Sequence, residues 1–472
     1  MYSSKPFCLF SICASLICAA VSADVLDDIK PGEWYEAPNS NLVTVKPLPT
    51  PYGQNGIGAV MDSWSGGAFD TKRNRLIVWG GGHGDYSGNE IYVFDIATLK
   101  WLRASDPSTD VGGTEATGIY PDGNPRSRHT YDYIQYVPSL DRFCTFGGSA
   151  MYPTAGTSTN KTHCFDFDAK KWTYTTDAAA WGFGTMAGRD PETGLIWLAG
   201  GGNNAAFVQW DPAKNAWQTF SHYNKGWFEY YHTGAIGKGK FVAVGMGKTI
   251  QWDLKNPTAQ SVEVATVGPT TVPAGQSPGF AFNEKGGYFV GWNGGKDVFA
   301  YSTNGAWIKV DLSANNKVTP TAAVPNGTYG RFQYIPSKDL FMVVNRVNEN
   351  VFFFRMPANV VFPVGIKEIR GEHPLNGKVE IHILDGASLA GFRGTIRLGG
   401  LESGSEKLTC RIFSARNELI YEQPLAVGQN TPISLQNGAP GLLRRDLAPG
   451  AYFMEVGGRD RVLAYRRLAF LQ

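Results

Sequence analysis

Two short segments of this 472-residue chain place histidine next to tyrosine, and one of them also contains arginine. The first segment holds Arg128, His129 and Tyr131, and the second holds Tyr230, Tyr231 and His232. An imidazole with a pKa of about 6.5 can accept a proton at neutral pH. A tyrosine hydroxyl, with a pKa of about 10, needs a cationic neighbour before it gives up its proton. The two segments therefore carry the residue types for proton transfer and for binding an anionic ligand.

A repeated pattern predicts the elements that position these segments. In each copy a glycine cluster precedes an apolar strand, the strand ends in Asp, and Trp follows six residues later. The three copies are Tyr92–Asp95 with Trp101, His163–Asp166 with Trp172, and Val208–Asp211 with Trp217. A repeat of roughly 50 residues without a helical period is typical of β-propeller blades. Propellers bind ligands at the mouth of the central channel, so we expect a site at the blade entrances.

The repeat can be counted six times, which predicts an all-β propeller with six visible blades and leaves a seventh, degenerate blade open. The predicted blades are Gly58–Ala104, Arg128–Thr176, Phe183–Ser221, His232–Thr266, Gly279–Leu312 and Tyr329–Met356. The sixth blade lacks a Trp-bearing outer strand, whereas Gly32–Tyr35 near the N-terminus resembles one. We therefore expect an N-terminal strand to complete the last blade, which removes a free sheet edge.

The two ends of the chain differ from the repeat. Residues 1–23 combine Lys5, an apolar run and small residues before Asp24, as in a signal peptide, and predict a secreted or periplasmic protein. The propeller is expected over residues 24–360. Short strands separated by turn residues then predict a C-terminal β-sandwich over residues 366–472. No later stretch has the roughly 18 consecutive apolar residues that a membrane span needs.

Charge and cysteine content restrict the partners. The sequence has 43 Lys and Arg against 41 Asp and Glu, so its net charge predicts no nucleic-acid partner. Downstream of the signal peptide only Cys144, Cys164 and Cys410 remain. Cys144 and Cys164 fall on neighbouring strands of blade two, where they either form a disulfide or pack as buried thiols. We expect a monomer that requires no cofactor, and a structural metal ion is left open.

The glycine pair, the aromatic strand and the spaced Trp resemble the kelch repeat of galactose-oxidase-like propellers. Two longer segments, Gly80–Tyr92 and Pro125–Tyr131, resemble secreted bacterial propeller proteins that include the ulvan lyases. The resemblance covers roughly residues 25–360 and implies a polysaccharide lyase that cleaves a uronate-containing, ulvan-like polysaccharide by β-elimination. Kelch propellers also include binding proteins and unrelated enzymes, so the fold by itself does not assign the activity.

A lyase of this kind needs a group that offsets the substrate carboxylate, a base for the adjacent carbon and an acid for the departing oxygen. We predict His129 as the base or the neutralising group, Tyr231 as the proton donor, and His232 as a catalytic residue that also contacts the carboxylate. The predicted substrate-binding residues are Arg128, Tyr131, Arg189, His83 and Tyr230.

The repeat also sorts the histidines. His163 aligns with strand residues of two other blades and is predicted to be packed in its sheet. His83 follows a second strand, whereas His129 stands at the entrance to an innermost strand. If each strand simply crosses its blade, we expect these two positions on opposite rims, although a long loop could bring them together.

Two other functions remain open at this stage. One is a non-catalytic propeller that binds a glycan or a protein, in which exposed tryptophans such as Trp64 would stack on sugar faces. The other is a copper radical oxidase, in which Tyr231 and His232 would hold copper together with His373 or His382. Such an oxidase also needs a tyrosine cross-linked to a cysteine.

Overall fold

The computed structural model describes residues 25–113, 117–154, 156–200, 206–221 and 231–360, residue 362, and seven strands between residues 378 and 470. The predicted signal peptide, residues 1–23, lies outside the described residues. Within the described residues, no helix is both long enough and apolar enough to cross a membrane.

The first half of the described chain forms an N-terminal strand and three blades. The N-terminal strand is β1 (Trp34–Ala37). Blade one contains β2 (Gly67–Asp70), β3 (Arg75–Val78), β4 (Tyr92–Asp95) and β5 (Lys100–Arg103). Blade two contains β6 (Arg128–His129), β7 (Ile134–Val137), β8 (Arg142–Met151), β9 (Ser158–Asp166) and β10 (Lys171–Asp177). Blade three contains β11 (Met186–Arg189), β12 (Ile196–Ala199), β13 (Phe207–Asp211) and β14 (Ala216–Ser221).

Three further blades follow, all with antiparallel strands. Blade four contains β15 (Thr233–Gly237), β16 (Lys240–Gly245), β17 (Lys248–Asp253) and β18 (Val262–Glu263). Blade five contains β19 (Gly279–Asn283), β20 (Tyr288–Trp292), β21 (Val298–Ser302) and β22 (Ala306–Lys309). Blade six contains β23 (Phe332–Ile335), β24 (Leu340–Val343) and β25 (Val351–Phe354). The described helical segments are the α-helix Ala59–Asp62 and the 3-10 turns Leu42–Val45, Gly56–Gly58 and Tyr329–Arg331.

The ring is closed by the N-terminal strand, as the sequence predicts. β1 pairs antiparallel with β25, and Trp34 stands opposite Phe354. Blade six therefore has four strands in the order β1-β25-β24-β23. The six-bladed count is confirmed, because this sheet completes the last blade. β24 and β25 are buried along their whole length, which explains why both are continuous apolar runs in the sequence.

The spaced Trp has the same packing role in five of the six blades. It lies on the outer strand directly opposite an aromatic residue of the third strand. The pairs are Trp101 with Phe94, Trp172 with Phe165, Trp217 with Trp210, Trp307 with Tyr301, and Trp34 with Phe354. Cross-strand aromatic pairs of this kind add to sheet stability beyond the area they bury. The spacing in the sequence therefore encodes a packing contact rather than a functional residue.

The described C-terminal strands form two further sheets. The first has three strands, in the order β26 (Lys378–Ile383), β27 (Arg393–Gly399) and β30 (Asn430–Ser434). The second has four, in the order β29 (Leu419–Leu425), β28 (Leu408–Ser414), β31 (Gly450–Gly457) and β32 (Val462–Phe470). β30 contains Pro432, and as an edge strand it tolerates the missing N–H donor of that proline.

Cys144 and Cys164 form a disulfide between facing positions of β8 and β9. Both side chains are fully buried. Of the two alternatives left open by the sequence, the disulfide is therefore the correct one. Because each sulfur is bonded to the other, neither can carry the tyrosine cross-link that the copper radical oxidase hypothesis needs. Cys410 is a free, buried cysteine on β28.

His163 is a packed strand residue on β9, as predicted, and its exposed fraction is only 4%. Burial, and to a smaller extent the nearby Arg128 guanidinium, lower the pKa of His163 to about 3. In the unfolded chain the same imidazole has a pKa of about 6.5. As the pH falls below that value, the unfolded state takes up a proton that the folded state does not, so stability decreases.

We expect this histidine to remove about 2 kcal/mol from the free energy of unfolding between pH 7 and pH 5. His163→Val, which installs the residue type found at the aligned position of blade three, should abolish that part of the decrease. Urea unfolding at both pH values measures it. A decrease of unchanged size in His163→Val would show that His163 does not contribute.

Candidate functional site

The start of each innermost strand and the end of the second strand lie on the same rim of the propeller. In blade one, β2 and β3 are antiparallel, and Gly67 at the start of β2 faces Val78 at the end of β3. The expectation that these positions lie on opposite rims is therefore wrong, because the second strand of an antiparallel hairpin returns to the level where the first began. We call the rim where the innermost strands begin the entrance rim.

His83, Asp85 and His129 meet on the entrance rim between blades one and two, and we call them the His–Asp–His cluster. The Asp85 carboxylate oxygen Oδ2 lies 3.2 Å from His129 Nε2 and 3.9 Å from His83 Nδ1. Each residue contributes one potential metal-ligand atom, a ring nitrogen or a carboxylate oxygen, and these three atoms all lie within 4.8 Å of one another. The His129 side chain is almost fully buried, whereas the His83 side chain is 43% exposed.

The loop that carries His83 and Asp85 is fixed by its glycines. Gly82 has a φ of +60°, and a Cβ atom there would lie 2.4 Å from the Arg128 Cα atom and the Ala150 oxygen. Only glycine fits such a close backbone approach. The loop backbone is held to blade two, because His83 N–H donates to the Ala150 carbonyl at 2.8 Å. The glycine triplet therefore places His83 over the strand that carries His129.

His129 projects from an interrupted innermost strand. In blade two the long strand β8 pairs with β6 at one end and with β7 at the other. Between β6 and β7 the chain turns at Tyr131, which has a φ of +41°. A non-glycine residue keeps this left-handed conformation only where the surrounding structure holds it in place.

The same left-handed conformation recurs where other innermost strands begin. Trp64, Ser277 and Tyr329 have φ values of +47°, +44° and +50°. These residues are linked around the rim by backbone hydrogen bonds, since Tyr131 N–H donates to Trp64 and Tyr329 N–H donates to Ser277. The ring of inner-strand starts therefore holds several aromatic side chains at one level around the channel axis.

Two neighbours orient the cluster. Asn55 Nδ2 donates a hydrogen bond of 2.9 Å to Asp85 Oδ1, which leaves Oδ2 directed at the imidazoles. The partly exposed Trp64 indole stacks on the His129 ring, with ring centroids 4.9 Å apart and planes 26° from parallel. The Tyr131 ring lies 6.0 Å from the His129 ring on another side. These contacts restrict rotation of both Asp85 and His129.

The charges of the pair follow from its surroundings. Burial alone would raise the pKa of Asp85, but hydrogen bonds from His129 and Ser63 outweigh burial and bring the pKa below its usual value. Burial lowers the pKa of His129, and the hydrogen bond to Asp85 only partly offsets this. At neutral pH the site therefore contains an ionised carboxylate next to a neutral imidazole.

The structure brings together three of the predicted site residues, His83, His129 and Tyr131. Arg128 lies beside them in sequence, but its side chain is fully buried and points away from solvent. Its guanidinium donates to the carbonyl groups of Arg126, Gly147 and Gly118 at 2.9, 3.0 and 2.7 Å. Each of its three nitrogens is thus engaged by the backbone.

Of the remaining predicted residues, two lie on the entrance rim at blade four, one lies towards the opposite rim, and one is outside the described part. Tyr231 is half-buried and His232 is buried at the start of blade four. Arg189 ends β11, so it lies towards the opposite rim, where its guanidinium is 4.0 Å from Glu284. It lines a cavity of about 120 Å³ that residues of all six innermost strands enclose. Tyr230 lies outside the described residues.

Sequence reasoning missed Asp85 as a site residue. The available signal was its spacing from His83, since a His-Gly-Asp sequence directly after a glycine triplet places two polar side chains on one loop. The second signal, proximity to His129, could be found only from the pairing of the strands. The described residues thus define a six-bladed β-propeller with a polar and aromatic site on its entrance rim.

Comparisons with known proteins add little to this definition. No family model matches the chain, and no curated protein matches it. Among solved structures it is similar to an auxiliary nutrient binding protein from Bacteroides thetaiotaomicron VPI-5482. The identity is 12% and the TM-score 0.39, over 64% of this chain and 69% of that chain. An identity of 12% and a TM-score of 0.39 are too low for this similarity to indicate a function.

Proposed function

We propose that this chain is an exported, kelch-type propeller that binds a glycan on its entrance rim, with its two C-terminal sheets packed as a β-sandwich. The observation that carries the proposal is the His–Asp–His cluster beside the partly exposed Trp64. A few convergent polar groups next to an aromatic surface are typical of small-ligand sites. Asp85 and His83 can exchange hydrogen bonds with sugar hydroxyls, and the indole offers an apolar face to the ring.

The contacts within the site support binding in a fixed orientation. Asn55 and His129 hold both oxygens of the Asp85 carboxylate, so its position does not depend on the ligand. A preformed site loses less conformational entropy on binding than a mobile one. The exposed His83 side chain is the element left to adjust to the ligand.

Affinity electrophoresis through gels containing ulvan, alginate, pectate or a neutral glucan tests the binding proposal. We expect retention by at least one polymer and a loss of that retention, by at least about tenfold in Kd, in Trp64→Ala. Leu102→Ala, which shortens an exposed apolar residue of the outer strand β5, is the matched control and should bind normally. Absence of retention on every polymer, with cooperative unfolding intact, would refute the proposal.

A second candidate, β-elimination of a uronate-containing polysaccharide, is favoured by the pairing of His129 with Asp85. A carboxylate that binds one imidazole nitrogen orients the ring and leaves the other nitrogen to accept a proton. The buried Arg128 and the distant Arg189 do not offer a cation to this site, so within the cluster His83 is the group left to offset the substrate carboxylate.

The absorbance of unsaturated uronate products distinguishes the two candidates. A lyase would produce this absorbance, and His129→Gln would reduce turnover about 100-fold or more, the usual contribution of a general base. A binding protein would show no absorbance change on a polymer that it retains.

A further inference from the structure

We propose that His83, Asp85 and His129 form a binding site for Zn²⁺, and that the bound ion engages the carboxylate of an acidic glycan. This inference deepens the proposed glycan binding, on whose location it rests. Two imidazole nitrogens and one carboxylate oxygen are a donor set that zinc accepts. Calcium and magnesium prefer oxygen ligands throughout, so the donor set disfavours both.

The spacing of the donor atoms fits one small ion. Ligands bound tetrahedrally at about 2.0–2.1 Å from zinc are about 3.4 Å from one another. Asp85 Oδ2 is already 3.2 Å from His129 Nε2 and 3.9 Å from His83 Nδ1. The Asp85–His83 distance reaches about 3.4 Å with a movement of under about 1 Å. The two imidazole nitrogens lie within 4.8 Å of each other, so their distance needs a change of at most about 1.4 Å, for which the partly exposed His83 side chain has room.

The groups around the donors match the outer shell of a metal site. Metal-binding carboxylates and imidazoles are themselves held by hydrogen bonds and packing, which keep the ligand atoms directed at the ion. Here Asn55 binds Asp85 Oδ1 and so leaves Oδ2 for the ion. Trp64 packs on the His129 ring, and the His83 backbone is bonded to Ala150. Each of the three ligands therefore has a support outside the cluster.

The charge balance explains what the ion would bind. Asp85 alone would repel an acidic glycan, whereas Asp85 with Zn²⁺ carries a net charge of +1 and attracts a carboxylate. Three protein ligands leave at least one coordination position for an oxygen of the ligand. The guanidinium of Arg128, which is adjacent to His129 in the sequence, is occupied by backbone carbonyls and does not supply this charge.

Zinc binding also separates the two candidate functions. When Nε2 of the neutral His129 imidazole coordinates the ion, the ring proton resides on Nδ1, so neither nitrogen can accept a proton from a substrate. Under the zinc hypothesis, retention of an acidic polymer requires the ion. Under the lyase candidate with His129 as free base, zinc would instead inhibit turnover.

Metal binding is tested by calorimetric titration of chelator-treated mature protein with ZnCl₂, and by the visible spectrum after titration with Co²⁺. We expect one equivalent of Zn²⁺ and the visible bands of low-symmetry Co²⁺. Asp85→Asn should weaken zinc binding at least about 100-fold, and Asn55→Ala about 10–100-fold, as expected for an outer-shell partner. The matched control is Asp168→Asn, at a carboxylate whose side chain is 86% exposed and outside the cluster.

Zinc binding that is equally tight in Asp85→Asn and in the unmodified protein would overturn the inference, as would no binding of Zn²⁺ at all. Retention on alginate or pectate gels is then compared with ZnCl₂ and with EDTA. Loss of retention in EDTA supports the bridging role. Unchanged retention in EDTA refutes that role but leaves glycan binding intact. Tight zinc binding without retention of any polymer supports the metal site and refutes the proposed glycan binding.

Discussion

Trp34→Ala is expected to lower the free energy of unfolding by about 3–5 kcal/mol, the usual result of removing a buried Trp. Trp34 is only 4% exposed, its ring centroid lies 4.9 Å from that of Phe354, and its indole N–H donates to the Lys296 carbonyl at 2.8 Å. The effect is large because this residue joins the two ends of the propeller. Urea unfolding followed by far-UV circular dichroism measures it.

Loss of Trp34 should also promote aggregation. If β1 detaches, the edge of β25 becomes unpaired, and this strand consists of Val351 followed by three phenylalanines. An exposed apolar edge pairs readily with other chains. Light scattering during mild heating should therefore rise with protein concentration in the variant. Leu102→Ala, at an exposed position of an outer strand, should change stability by less than about 0.5 kcal/mol. Equal stability of the two variants would contradict the closing role of β1.

Arg128→Met is expected to lower the free energy of unfolding by about 3 kcal/mol, since three buried carbonyl groups each lose a hydrogen bond from the guanidinium. Methionine has a similar length but no N–H group, so it fills the space without replacing the hydrogen bonds. These carbonyl groups belong to chain segments around the His–Asp–His cluster. Loss of their hydrogen bonds should therefore also change the position of His129. The midpoint of urea unfolding reports the change.

The matched control for this substitution is Arg142→Met. Arg142 forms a partly exposed ion pair of 2.8 Å with Asp166, and its loss should remove only about 0–1 kcal/mol. If Arg128→Met unfolds at an unchanged midpoint but no longer binds a polymer, Arg128 contacts the ligand and its structural role is refuted. That outcome would return it to the set of substrate-binding residues predicted from the sequence.

The sequence was most informative about features that depend on contacts between residues close together in the chain. Blades one to five are runs of consecutive antiparallel strands, so their strands and turns, and the Trp–aromatic pairs of blades one, two, three and five, recur at similar spacing along the chain. The closing strand was also predictable, because Trp34 is a tryptophan like Trp101 and Trp172, which mark the outer strands of blades one and two. The strand β30 could not be predicted from composition, because proline is unusual within a strand and Pro432 is acceptable only at the edge of the sheet.

The candidate site was only partly predictable. His83 and His129 were singled out by their positions in the repeat. They are almost one blade apart in the sequence, however, so the sequence does not show that their side chains are close. Asp85 was overlooked because a single carboxylate in a loop does not indicate a site unless its neighbours in space are known. Arg128 looked like a ligand-binding group, and only burial reveals that the backbone occupies it.

The amino-acid sequence by itself thus determined an all-β ring with six visible blades, its closure by an N-terminal strand and the spacing of its outer tryptophans, since these depend on periodic, short-range patterns. The tertiary structure alone decided which polar side chains form a site. The direction of antiparallel pairing sets which loops share a rim, and a left-handed glycine sets how closely one loop approaches the next blade. These two long-range conditions bring His83, Asp85 and His129 together.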